Sequence, residues 1–98
     1  MAFEPTIDTE MLIDILRAND VTMAGLFGST ARGEATDESD VDLLVEFSKR
    51  KSLLALVRLE RILSEAIGRK VDLLTAPAIS PYIRPIIMRE LRVIYDTR

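Results

Sequence analysis

Asp40 and Asp42 stand two residues apart in Asp40-Val41-Asp42-Leu43-Leu44-Val45. On a strand, whose side chains alternate with a period of two, both carboxylates point the same way, with Cα atoms about 6.6–6.8 Å apart. Two unit charges about 4 Å apart repel by about 1 kcal/mol in bulk water and about 4 kcal/mol at an effective dielectric of about 20, so an enclosed pair calls for a cation. The chain has no histidine and no cysteine. The remaining hard oxygen donors suit Mg²⁺, which completes its shell with water and substrate phosphate. The plainer alternative has Asp40 capping a turn and Asp42 in solvent, but aspartate is a poor strand former and its place at 42 needs a reason.

Twelve residues before Asp40, Gly28-Ser29 closes one apolar run and opens a short helical stretch. Such a junction offers free backbone N–H groups, a helix dipole and a hydroxyl at one point, which is an anion site; the same pair also serves as an ordinary turn. A third carboxylate comes from Lys70-Val71-Asp72-Leu73-Leu74, where Val71 and Leu73 face a core and Asp72 projects from the opposite side. If the two strands are neighbours, Asp40, Asp42 and Asp72 converge. That arrangement supports two-metal phosphoryl or nucleotidyl transfer, with the Gly28-Ser29 turn on the far side of the phosphate.

These residues sit in a chain of 98, which predicts one domain spanning 1–98. Without cysteine or histidine, disulfides, thiolate chemistry, Ser-His-Asp triads and the usual zinc sites are excluded. No run of about 18 uncharged apolar residues occurs, and the opening MAFEPTIDTE is acidic where a targeting peptide is basic, so the sequence reads as cytoplasmic with no membrane partner. Residues 1–49 carry 11 acids against 3 bases, and residues 50–98 carry 5 acids against 10 bases. Solvated helix faces account for this, or a basic half that meets an acidic partner. A pI near 4.9 disfavours nucleic acid. Apolar residues make up 48% of the chain, more than a small monomer readily buries, so part of that surface is available to another protein.

The elements that must position the acids follow from periodicity. Thr6 can cap a helix with Met11, Leu12, Ile15 and Leu16 at helical spacing, ending near Asn19-Asp20. Val21–Phe27 reads as a buried strand and Ser29 to about Gly33 as a short helix. In the next strand Val41, Leu43, Val45 and Phe47 share an apolar face, and Asp40, Asp42, Leu44 and Glu46 share the other. Ser52 caps a helix with Leu53, Leu56, Leu59, Leu63, Ala66 and Ile67 on one stripe and Gly68 as its stop. Lys70–Thr75 is a third strand, Ala76–Pro81 a loop, and a last helix runs from Ile83 or Pro85 to Leu91, with Val93–Tyr95 as an edge strand. The alternation predicts an α/β or α+β sheet covered by helices.

Gly28-Ser29, ten residues, then Asp40-x-Asp42 resembles the signature of the DNA polymerase β-like nucleotidyltransferase superfamily. The fuller string GSTARGEATDESDVDLLV is similar to its minimal nucleotidyltransferase branch, the MntA-type antitoxins paired with HEPN-domain toxins. The resemblance runs through Asp72 to the closing helix. It implies a small mixed sheet flanked by helices, ATP as donor with Mg²⁺ (two ions), and AMP transfer to a tyrosine of a partner toxin in a hetero-oligomer. On that analogy Gly28 and Ser29 contact the triphosphate, Asp40 and Asp42 bind Mg²⁺, and Asp72 completes the metal site or activates the acceptor; Arg32 touches phosphate or forms a surface salt bridge. Two other readings stay open: an antitoxin that neutralises by binding alone, and a nucleotidyltransferase for a small acceptor.

Overall fold

The computed structural model describes residues 9–28 and 40–98. Helix α1 (Thr9–Ala18) buries Leu12 and Leu16 and leaves Met11 partly exposed. It ends where Asn19 Nδ2 donates to the Ile15 carbonyl at 2.7 Å and Asp20 turns into the left-handed region (φ 67°), a conformation aspartate tolerates. Strand β1 (Val21–Phe27) follows at the expected bounds, then β2 (Val41–Phe47), which starts one residue after Asp40. Helix α2 (Leu53–Ile67) begins as predicted: the Ser52 hydroxyl accepts from the Ala55 N–H at 3.1 Å. It stops at Gly68, whose φ of 74° and N–H bond to the Ser64 carbonyl close a left-handed cap. Strand β3 (Val71–Thr75), a 3₁₀ turn at Ala76–Ala78, helix α3 (Arg84–Glu90) and strand β4 (Arg92–Asp96) complete the chain.

The four strands form one mixed sheet in the order β3-β2-β1-β4. β1 is antiparallel to both β2 and β4, while β2 and β3 are parallel. A parallel pair needs a crossover, and α2 supplies it. One face of the sheet packs Val41, Leu43, Val45 and Val71 against Leu12 and Leu16 of α1 and Leu59 and Leu63 of α2. The other face carries a smaller core of Met23, Leu44, Ile79 and Ile87, with Phe27, Leu74 and Leu91 at its margin. A bulge between Val21 and Met23 puts these two residues, two apart in sequence, on opposite faces.

Leu44 shares its side of β2 with Asp42, as expected, and is fully buried because the 3₁₀ turn and α3 roof that side. One expectation needs correcting. Leu53 is 76% exposed: as the residue after the N-cap it lies beyond the sheet, and the buried stripe of α2 centres on Leu59 and Leu63. The Thr6 cap and the Ser29–Gly33 helix lie outside the described residues.

Candidate active site

The acidic residues meet at one end of the sheet. β2 and β3 run in register, with Val41 opposite Val71 and Asp42 opposite Asp72. Adjacent strands lie about 4.8 Å apart, so the two Asp Cα atoms are neighbours, and both side chains leave the sheet on the side of Leu44 and Leu74. Asp40, exposed, precedes the ladder by one residue; the Val41 N–H next to it donates to the Lys70 carbonyl at 2.8 Å and fixes where the pairing starts.

From the other side, β1 brings its final turn to the same place. Phe27 pairs with Asp42, and Gly28 follows with φ 73°. A Cβ added at Gly28 would collide with Asp42 Oδ2 and lie 3.3 Å from its Cγ. The Asp42 carboxylate therefore rests directly against the glycine backbone, in space that only glycine leaves open. Gly28 and Asp42, 14 positions apart in sequence, thus form one unit of the site.

Asp72 is half-buried, and its Oδ1 lies 3.9 Å from Lys70 Nζ, a loose and exposed pair that solvent screens. Among the described residues no three acidic side chains form a group that could hold one ion. The expected convergence of Asp40, Asp42 and Asp72 is thus corrected to a shared sheet end, with Asp42 and Asp72 side by side and Asp40 ahead of them. Ser29 and Arg32 lie outside the described residues.

Two contributors escaped the sequence reading. β3 is an edge strand, and the N–H groups of Val71 and Leu73 point away from β2. Ser64 Oγ accepts the Val71 N–H at 2.9 Å, and Glu60 Oε2 accepts the Leu73 N–H at 2.7 Å. Both acceptors come from α2, one turn apart, beside the buried Leu59 and Leu63. The available signal was a polar pair at i and i+4 along the margin of an apolar stripe.

A cleft of about 670 Å³ opens elsewhere, among Phe47, Lys49, Arg50, Leu56 and Pro77. It lies at the finishing ends of β2 and β3, whereas Asp42 and Asp72 lie near their beginnings, so it is separate from the acidic site.

Comparison with known proteins bears on the family and the fold. Residues 9–94 match the family model described as a nucleotidyltransferase domain. A candidate protein adenylyltransferase of Methanocaldococcus jannaschii, MJ0435, is 47% identical over 79 residues, covering 81% of this chain and 85% of that one. The protein adenylyltransferase MntA of Thermococcus cleftensis is 42% identical over 67 residues, 68% of each chain. In fold, the chain superposes on a toxin–antitoxin crystal structure with AMP-PNP at a TM-score of 0.83, with 23% identity, covering 94% of this chain and 76% of that one. It also superposes on the complex of a tri-AMPylated Shewanella oneidensis HEPN toxin with MNT antitoxin at 0.73, with 22% identity, covering 91% and 70%.

Proposed function

The chain belongs to the nucleotidyltransferase domain family and is a transferase enzyme, and on that premise we propose that it is a Mg²⁺-dependent protein adenylyltransferase that acts as an antitoxin, moving AMP from ATP to a tyrosine hydroxyl of a HEPN-domain toxin. The observation that carries the reading is the in-register Asp42–Asp72 pair with Gly28 packed on Asp42. The relatives' names supply the class of acceptor, and the AMPylated toxin bound to a structural neighbour supplies the partner. The same reading takes residues 1–98 as one minimal domain working in the cytoplasm.

The donor set fits magnesium: Asp42 and Asp72 offer hard carboxylate oxygens side by side, Asp40 stands nearby, and the chain has no histidine or cysteine. Mg²⁺, when bound, neutralises phosphate charge and lowers the pKa of an acceptor hydroxyl. Gly28 turns the chain away from β1 beside Asp42, so its backbone is placed to approach the triphosphate, with Ser29 and Arg32 in the segment that follows. Asp72, half-exposed at the sheet edge, completes the metal site or takes the acceptor proton. In the reaction the tyrosine oxygen forms a bond to the α-phosphorus, the bond from that phosphorus to the β-phosphate oxygen breaks, and pyrophosphate leaves with its electron pair.

Exposed apolar side chains favour a protein partner. Leu53 and Leu54 on α2 are 76% and 70% exposed, and Tyr82, before α3, is 89% exposed. Arg84 and Arg89 on α3 place positive charge beside Ile83 and Ile86. The same surface also supports neutralisation by binding alone. ATP radiolabelled at the α- or the γ-phosphate separates the possibilities: α-label on the toxin is expected, while γ-label, or no label on a toxin that is nonetheless silenced, would contradict the proposal.

A further inference from the structure

Among the described residues, Asp72 is carried by the outermost strand on its side of the sheet, which has a neighbour only in β2. Edge strands have half their backbone groups unpaired and readily shift or fray. A carboxylate that must act with Asp42 is useful only if its Cα stays within a fraction of an ångström of its place. The sequence neighbours of Asp72 solve this: the N–H groups on both sides of it are held from α2, Val71 by Ser64 at 2.9 Å and Leu73 by Glu60 at 2.7 Å. Ser64 is itself fixed, donating its hydroxyl to the Glu60 carbonyl at 2.7 Å. Leu59 and Leu63, buried on the same helix, anchor α2 to the sheet.

We propose that Glu60 and Ser64 are positioning residues for Asp72: a two-point clamp that stands in for the missing outer strand and sets the carboxylate beside Asp42. The inference rests on the reading of Asp42 and Asp72 as metal ligands. Glu60 acts here through its oxygen geometry, since the carboxylate accepts from backbone on the outer edge of β3. A carbonyl oxygen in the same place can do the same.

The test uses the full chain, Mn²⁺ alone as an oxygen-seeking probe read by electron paramagnetic resonance, and amide hydrogen exchange. Glu60→Ala should speed exchange at Leu73 and weaken Mn²⁺ binding by about tenfold or more, the range for losing a group that orients a ligand. Ser64→Ala, a substitution helices accept readily, should do the same through Val71. Glu60→Gln keeps an acceptor oxygen and should restore both slow exchange and wild-type Mn²⁺ affinity. A Glu60→Ala protein that binds Mn²⁺ like wild type, or a Glu60→Gln protein as impaired as Glu60→Ala, would overturn the clamp, the second by pointing to charge instead of position. Failure of the wild type itself to bind Mn²⁺ would overturn the metal reading and the clamp with it, so the two failures are told apart by the wild-type control.

Discussion

Gly28 and Asp42 occupy adjoining space: a methyl group on the first would overlap the carboxylate oxygen of the second. Gly28→Ala therefore strains the molecule twice, through a side chain at φ 73° and through displacement of Asp42. The backbone effect alone costs roughly 1–2 kcal/mol, which lowers the melting temperature of a domain this size by about 4–8 °C per kcal/mol. The expected outcome is a folded protein with little remaining transfer. Wild-type turnover in Gly28→Ala would mean that the Asp42 carboxylate has freedom to move without consequence.

Asp42→Asn and Asp72→Asn should separate chemistry from folding. Both side chains lie on the open end of the strands while Val41, Leu43 and Val71 stay in the core, so the fold should persist and the melting temperature should hold or rise as repulsion between neighbouring carboxylates is relieved. Losing a ligand that carries several kcal/mol of charge stabilisation should lower Mg²⁺-dependent transfer by about a hundredfold or more. Thermal unfolding alongside a transfer assay checks both halves.

Gly25 serves packing instead of chemistry. A Cβ there would come 2.6 Å from Leu91 Cδ1 and 2.9 Å from its Cγ. Gly25→Ala must push Leu91 off the smaller core, at a cost of about 1–3 kcal/mol for overpacking. Denaturant unfolding should register the loss, while the pairing of Asp42 on β2 with Asp72 on β3 keeps transfer by the folded fraction near normal.

Among the described residues, two carboxylates contribute to acid sensitivity, Asp96 beside Arg98 and Asp20 in the turn after α1. Lys51 Nζ bonds Asp20 Oδ2 at 2.8 Å and holds the Asp20 carboxyl below its usual value of 3.8, first through the hydrogen bond and then through charge. A depressed carboxylate pKa adds stability that is present above about pH 4 and is lost as pH falls through the lower folded value. Lys51→Met should thus flatten the acid end of the stability curve and leave the slope near neutrality unchanged. Urea midpoints measured from pH 2 to 7 test this, and an unaltered acid limb would refute it.

The strands that carry the acids were legible because their signals are local. The alternation of Val41, Leu43 and Val45 around Asp42, and of Val71 and Leu73 around Asp72, dictates which side each carboxylate takes, and Ser52 and Gly68 bound α2 by chemistry confined to single turns. What sequence could not supply was contact over distance. Leu44 shares its side of β2 with Asp42, and the side chains that cover it, Ile79 and Ile87, lie more than 30 residues on. The closeness of Gly28 to Asp42 depends on the β1–β2 register, and the Glu60 and Ser64 bonds depend on how α2 lies along β3. The motif resemblance supplied the mixed sheet, which periodicity left open.

The most direct test of the central claim is the intact mass of a HEPN-domain toxin co-expressed with this chain and then separated from it. The account predicts a toxin heavier by one or more AMP groups and still harmless once isolated, because a covalent mark outlasts the contact. With Asp42→Asn the toxin should co-purify at its unmodified mass and remain active. An unmodified toxin from wild-type co-expression, or full protection by Asp42→Asn, would contradict adenylylation as the means of neutralisation.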